Sequence, residues 1–166
     1  MNFVDYAEAI WPTCQLSDED LNEYIMLGLV GEAGEVCDVL KKSIRDDGGE
    51  LTPARRDHLI EELGDVCWYL AINGRRRGMK FHIVNNGGGP EQIDPYQVAL
   101  SMSSAVLIVS ATCLEWDGSA PQVIELADRT ASALSHVSTI LMWANSSIEE
   151  AMERNVAKVR ARYLVN

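Results

Sequence analysis

Apolar residues recur at helical spacing along most of the chain. Phe3, Tyr6, Ala7 and Ile10 mark a short first helix, roughly Phe3 to Trp11, which should end at Pro12 because proline cannot continue a helix interior. Leu21, Ile25, Leu29, Ala33, Val36 and Leu40 form one stripe of a long second helix that runs to about Arg45. Ser17, with Asp20 three residues on, reads as its N-cap in a variant of the capping box, and Asp46, Asp47, Gly48 and Gly49 stop it. Thr52 followed by Pro53 repeats the start signal. A third helix then spans roughly Pro53 to Arg77, with Leu59, Leu63, Val66 and Leu70 on one edge, Ile60, Cys67 and Ala71 beside it, and Gly78 as its end. The connection between these two helices is so short that they must be antiparallel neighbours.

From Phe81 to Pro95 turn formers are densest, which predicts a loop or hinge. A fourth helix follows from Pro95 or Tyr96 to Trp116 and a fifth from Ala120 and Pro121 to about Ala144. The last opens at Ser147, with Glu150 as capping partner, and reaches about Tyr163. The run from Val106 to Val109 sits inside a helical pattern, so no strand is predicted. The fold class is all-α, an antiparallel bundle of five to six helices with no internal repeat.

Composition narrows the function. With 166 residues and 47% hydrophobic content the chain suits one domain with a substantial core. A net charge of −11 argues for a cytosolic protein and against binding nucleic acid through a broad cationic surface. Cys14, Cys37, Cys67 and Cys113 have neither CxxC nor zinc spacing, and read as reduced thiols, at least three of them buried. The first residues hold Asp5 and no basic cluster, unlike a signal peptide. The stretch Val98 to Leu114 is interrupted by serines and marginally short for a bilayer span, so it reads as a buried core helix and no membrane partner is expected.

The chemistry lies in the acids. Glu32 and Glu35 on the second helix, and Glu62 and Asp65 on the third, each sit one turn apart on one face of an otherwise apolar segment. Antiparallel packing turns the four toward one another. Unpaired, they would repel and raise one another's pKa, so the cluster suggests a divalent cation, Mg²⁺ with Mn²⁺ able to substitute, and with it phosphate chemistry. Gly28, Gly31 and Gly34 each cost about 1 kcal/mol of helix stability against alanine, which calls for a close approach by a helix or a substrate. Lys42 continues the acid face and could reach a phosphate, although Lys41 and Lys42 serve equally as partners of the helix dipole. Trp68 and Tyr69 offer a stacking surface for a base, with core packing the stronger reading of both. His58, His82 and His136 are single and unclustered.

These residues carry a resemblance. GLVGEAGEVCDVLKK, then EELGDVCWYLA, then NVAKVRARY near the end resemble the MazG-type all-α nucleoside triphosphate pyrophosphohydrolases, in the sub-group that reads GLxGEAGE. The resemblance covers about half the chain, in the family's order. It implies hydrolysis of an NTP or dNTP between the α and β phosphates, giving the monophosphate and pyrophosphate. It further implies Mg²⁺ held by Glu32, Glu35, Glu62 and Asp65, with one of these or Glu61 orienting the water. By the same resemblance Asn155, Lys158 and Arg162 face the nucleotide, and the chain forms a homodimer or higher homo-oligomer.

Two departures stand out. Gly31 occupies a position where many members have a further glutamate, and the segment from Phe81 to Ser146 is an insertion relative to compact members. Its helices would cover the bundle or replace contacts made elsewhere by a partner subunit. A carboxylate-bridged di-iron bundle is disfavoured because no histidine follows a glutamate by three residues. The alternative function is a non-catalytic helical module that binds a nucleotide or a protein. Base and sugar preference are not legible.

Overall fold

Capping and turn residues set the limits of each element in the computed structural model, which describes residues 1–17, 20–79 and 93–163. The α-helices are α1 Phe3–Ile10, α2 Leu21–Asp46, α3 Pro53–Arg76, α4 Pro95–Leu114, α5 Ala120–Trp143 and α6 Ile148–Tyr163. Among the described residues there is no strand. Asn2 caps α1 by accepting from the Asp5 amide at 2.9 Å. Pro12 redirects the chain into a short 3-10 turn, Trp11–Thr13, and Thr13 Oγ1 closes it by donating to the Ile10 carbonyl at 2.6 Å. Thr52 caps α3, Asp94 accepts from the amides of Tyr96 and Gln97 at the start of α4, and Ser147 accepts from the Glu150 amide at 3.2 Å. Gly48, Gly49 and Gly78 take positive φ past the ends of α2 and α3, where a side chain would be strained.

One expected cap is different. Ser17 Oγ donates to Asp20 Oδ2 at 2.9 Å instead of accepting from a helix amide, so α2 starts at Leu21 with Asp20 at the cap position and no side-chain cap bond. The turn-rich stretch after Met79 falls mainly on residues 80–92, outside the described residues, as does His82.

The helix pair α2 and α3 is the spine. Helix α4 runs back along α2: Tyr96 donates to the Gly49 carbonyl at 3.4 Å at one end, and Ser103 Oγ lies 3.3 Å from Cys37 Sγ further along. Helix α5 pairs with α4, while α6 and α1 pack on the other flank of α3. Ile25, Leu29, Leu59, Leu63, Leu70, Met102 and Leu126 are fully buried, each contributing about 1.5–3 kcal/mol of transfer free energy.

Two expectations need correction. Only Cys67 and Cys113 are buried, whereas Cys14 and Cys37 are partly exposed: Cys14 lies in extended chain just past the 3-10 turn, and Cys37 sits beside the buried stripe of α2. Helix α4 is not an enclosed core helix either. It is long and apolar enough to cross a membrane by length and composition, yet in the fold it buries Ala99, Met102, Val106, Val109 and Cys113 on one side and leaves Leu100, Leu107, Ile108 and Leu114 exposed.

Candidate active site

Carboxylates from two helices meet where α2 and α3 pack. Glu32, Glu62 and Asp65 each offer an oxygen, and these oxygens lie within 4.8 Å of one another. Buried apolar residues flank the acids on both helices, Ala33 and Val36 on α2 and Leu63 and Val66 on α3, so all three side chains are held part-buried at the seam. Burial, then the charge of Asp65, then a hydrogen bond shared with Glu62 push Glu32 up to about 7. His58, one turn before Glu62 on α3, stands with Nε2 2.7 Å from Glu62 Oε1.

The closing helix supplies the donors. Asn155 Nδ2 donates to Asp65 Oδ1 at 2.7 Å and Lys158 Nζ to Asp65 Oδ2 at 2.6 Å, while Lys158 also pairs with Glu61 at 3.0 Å. Burial draws the Lys158 ammonium down, but the bonds to Asp65 and Glu61 outweigh it and leave it above its usual value. Asn155 is itself fixed, because its Oδ1 accepts from the buried Tyr6 hydroxyl at 2.7 Å. Burial, with Cys67 and Asp65 nearby, keeps that phenol protonated. A helix interior position makes this approach possible: a Cβ on Gly64 would stand 3.0 Å from the Ala151 carbonyl oxygen and 3.3 Å from Asn155 Cβ.

A cleft of about 120 Å³ opens beside the acids, lined by Tyr24, Glu32, Asp65, Trp68, Tyr69, Lys158, Arg162 and Tyr163 among others. Tyr24 and Tyr69 are 5.9 Å apart between ring centroids and Trp68 meets Tyr69 edge-on at 4.9 Å, which gives the cleft an aromatic wall. The Tyr69 ring occupies the space over Gly28, where any Cβ would overlap it. A Cβ on Gly31 or Gly34 would meet nothing within 4 Å, so of the three glycines expected to admit a helix or a substrate, Gly28 is the one that a neighbouring helix approaches.

Residues 21–84 match the family model of the MazG nucleotide pyrophosphohydrolase domain. This stretch is a MazG-type domain. It contains α2, α3 and all the clustered acids. The chain is also 54% identical over 48 residues to the Gene 37 protein of Mycobacterium phage L5, a match that covers 29% of this chain and 42% of that relative. The match thus spans less than half of the relative's own length. No solved structure matches.

The residues that the sequence pointed to divide into three groups. Glu32, Glu62, Asp65, Asn155 and Lys158 converge. Trp68 and Arg162 line the cleft, Trp68 being largely buried with Nε1 donating to Thr13 Oγ1 at 3.2 Å and Arg162 standing over the Tyr163 ring at 5.3 Å. Glu35 lies one turn beyond Glu32, exposed and outside the group of three. Lys42 stays at the far end of α2, where it and Lys41 both pair with Asp38, and those two ammonium groups hold Asp38 down to about 2.

From the sequence, Tyr6 reads as a core position and His58 as unclustered, and Gly64 goes unremarked, yet all three belong to the site. Each left a trace: a hydroxyl on a core-facing stripe that needs a partner, a histidine four residues before an acid, and a mid-helix glycine. Cys67, two residues past Asp65, is sealed in the core, and burial followed by Asp65 pushes its thiol up to about 12, so it packs as a small hydrophobe.

Proposed function

We propose that this chain is a Mg²⁺-dependent nucleoside triphosphate pyrophosphohydrolase that cleaves an NTP or dNTP between the α and β phosphates, releasing the monophosphate and pyrophosphate. The observation that carries the reading is the meeting of Glu32, Glu62 and Asp65 within 4.8 Å on the two helices of the matched domain.

The donor set fits a hard divalent cation. Three carboxylates supply oxygen ligands, and each oxygen of Asp65 keeps a second lone pair beyond the one used by Asn155 or Lys158. Because Glu32 is pushed up to about 7 by burial and by the neighbouring acids, added positive charge at this point is favourable. Glu35, one turn along the same helix, is the proposed fourth ligand, and Mn²⁺ is able to substitute for Mg²⁺. When bound, the cation would neutralise charge on the polyphosphate and make the phosphorus more electrophilic.

The remaining steps belong to the chain. Lys158 balances the acids before substrate arrives and then turns from Glu61 to a phosphate oxygen. Its departure frees Glu61, half exposed at the rim, to accept a proton from the attacking water. Asn155, fixed by Tyr6, keeps Asp65 oriented throughout. Trp68, Tyr69 and Tyr24 form the wall against which a base stacks, and Arg162 lies at the same opening.

The test is incubation of the full chain with a panel of NTPs and dNTPs plus Mg²⁺, with separate detection of monophosphate, pyrophosphate and orthophosphate. Equal amounts of monophosphate and pyrophosphate are expected, lost on chelation of the metal. Orthophosphate as the product would instead mark a phosphatase, and binding without turnover a non-catalytic module.

A further inference from the structure

Three helix ends meet away from the acid cleft: the start of α2, the end of α3 and the end of α4. Asn22, Arg76, Arg77, Cys113, Leu114 and Trp116 line a cavity of about 350 Å³ between them. Among the described residues it shares no lining side chain with the cleft, and Asn22 stands about 15 Å along α2 from Glu32.

Arg77 is the unusual group there. The chain has 25 acidic residues against 14 basic ones, and nearby Arg75 pairs with Glu8 at 2.9 Å. Arg77 is half-buried, yet its partners among the described residues are amides and a ring, with no carboxylate. Nη1 donates to Asn73 Oδ1, Nη2 donates to Asn22 Oδ1 at 2.5 Å, and the guanidinium lies 5.0 Å from the centre of the Trp116 ring. Its Nε is buried with no acceptor among the described residues. Burial, and to a lesser degree the charge of Arg76, hold the guanidinium below its ordinary value. Glu23, Glu115 and Asp117, the acids next in sequence to the lining residues, are exposed and none pairs with it.

We propose that this cavity binds a phosphate group, either free phosphate or the phosphate of a nucleotide, on Arg76, Arg77 and Asn22.

The donor set selects the ligand. Each Nη of Arg77 keeps a second hydrogen, and Asn22, its oxygen engaged by Arg77, keeps both Nδ2 hydrogens for another acceptor. Two adjacent guanidiniums match the oxygens of a phosphate, and their summed charge suits a dianion better than a single carboxylate. Trp116 and the exposed Leu114 give the cavity an apolar side on which a base can lie, and its volume is at the lower end of the roughly 300–1,000 Å³ of small-ligand sites. Arginines at the end of α3 also suit its dipole. That role turns a guanidinium toward the last carbonyls, whereas Arg77 is directed to two asparagine oxygens.

Titration calorimetry of the full chain in chelator tests this, with inorganic phosphate and adenosine 5′-monophosphate as probes and acetate at equal ionic strength as the control. Both phosphates are expected to bind and acetate is not. Arg77→Gln should weaken binding about tenfold or more, the scale of one charged hydrogen bond. Arg77→Lys keeps the charge and loses the planar fork, so it should weaken binding with the fold intact by circular dichroism. Arg129→Gln, a surface arginine paired with Glu125, should bind as wild type. So should Lys158→Gln, which alters the acid cleft. Equal affinity for the two probes assigns the site to free phosphate, and tighter binding of the monophosphate that is lost in Trp116→Leu assigns it to a nucleotide. No binding of either phosphate, binding that survives both Arg77 changes, or binding abolished by Lys158→Gln would each overturn the proposal. Because binding is read without metal or turnover, the outcome is independent of the triphosphate reading.

Discussion

Asn155 reaches Asp65 across 90 positions of the chain, donating from Nδ2 to Oδ1 at 2.7 Å while its own oxygen accepts from Tyr6. The amide therefore has one orientation, because donor and acceptor sides are both assigned by their partners. It couples α1, α3 and α6 at the point where the acids meet.

Asp65→Asn removes the charge that both Lys158 and the proposed cation use, without opening a core void. Turnover is expected to fall by on the order of 100-fold or more, the scale of losing one preorganised electrostatic contact. Circular dichroism should show the helix content retained. Wild-type turnover in this variant would remove the metal assignment.

Glu35→Gln separates a three-acid from a four-acid site. As the proposed fourth ligand, Glu35 should show its loss as a raised Mg²⁺ requirement in a metal titration of the rate. A Mg²⁺ dependence identical to wild type would confine the ligands to Glu32, Glu62 and Asp65.

Tyr6→Phe leaves the Asn155 oxygen buried without its donor, which should cost about 1–3 kcal/mol in denaturant unfolding. The freed amide can also turn over, so kcat should drop more than KM rises. Equal stability of the variant and wild type would mean that this hydrogen bond is dispensable.

Gly64→Ala adds a methyl group against the Ala151 carbonyl and Asn155. Overpacking of about 1–3 kcal/mol is partly offset by about 1 kcal/mol of helix propensity, so a small net loss of stability is expected. Activity should fall further than stability, since α6 must move away from α3 and carry Asn155 and Lys158 with it. Steady-state kinetics beside thermal melts distinguishes the two effects.

Metal-free protein should lose stability as pH rises through neutrality. Glu32 titrates near 7 in the folded chain against 4.5 as its ordinary value, so between those values the folded state binds more protons than the unfolded state. The Glu32 contribution is fully present below about 4.5 and is lost as pH passes about 7. Melting temperatures should therefore fall from pH 5 to pH 8 in chelator, and Mg²⁺ should restore them most at the alkaline end. A rise with pH in chelator would contradict the carboxylate environment described for Glu32.

Much of this was legible from local rules. The stripe from Leu21 to Leu40, the Thr52 and Pro53 start, and the short connection through Gly48 and Gly49 were enough to bring Glu32 toward Glu62 and Asp65, because helix period and loop length leave little choice of geometry. Tertiary packing decided what spacing leaves free. Whether Lys42 or Lys158 meets the acids depends on which helices cross α3, and Lys42 finds Asp38 on its own helix instead. That α4 would be half buried, with its leucines outward, was equally unreadable, since an uncharged helix carries no polar face to say which side is solvent. The partners of Tyr6, Gly64 and Asn155 lie on elements far apart in the chain, and such long-range contacts are set by how whole helices pack, not by the residues beside them.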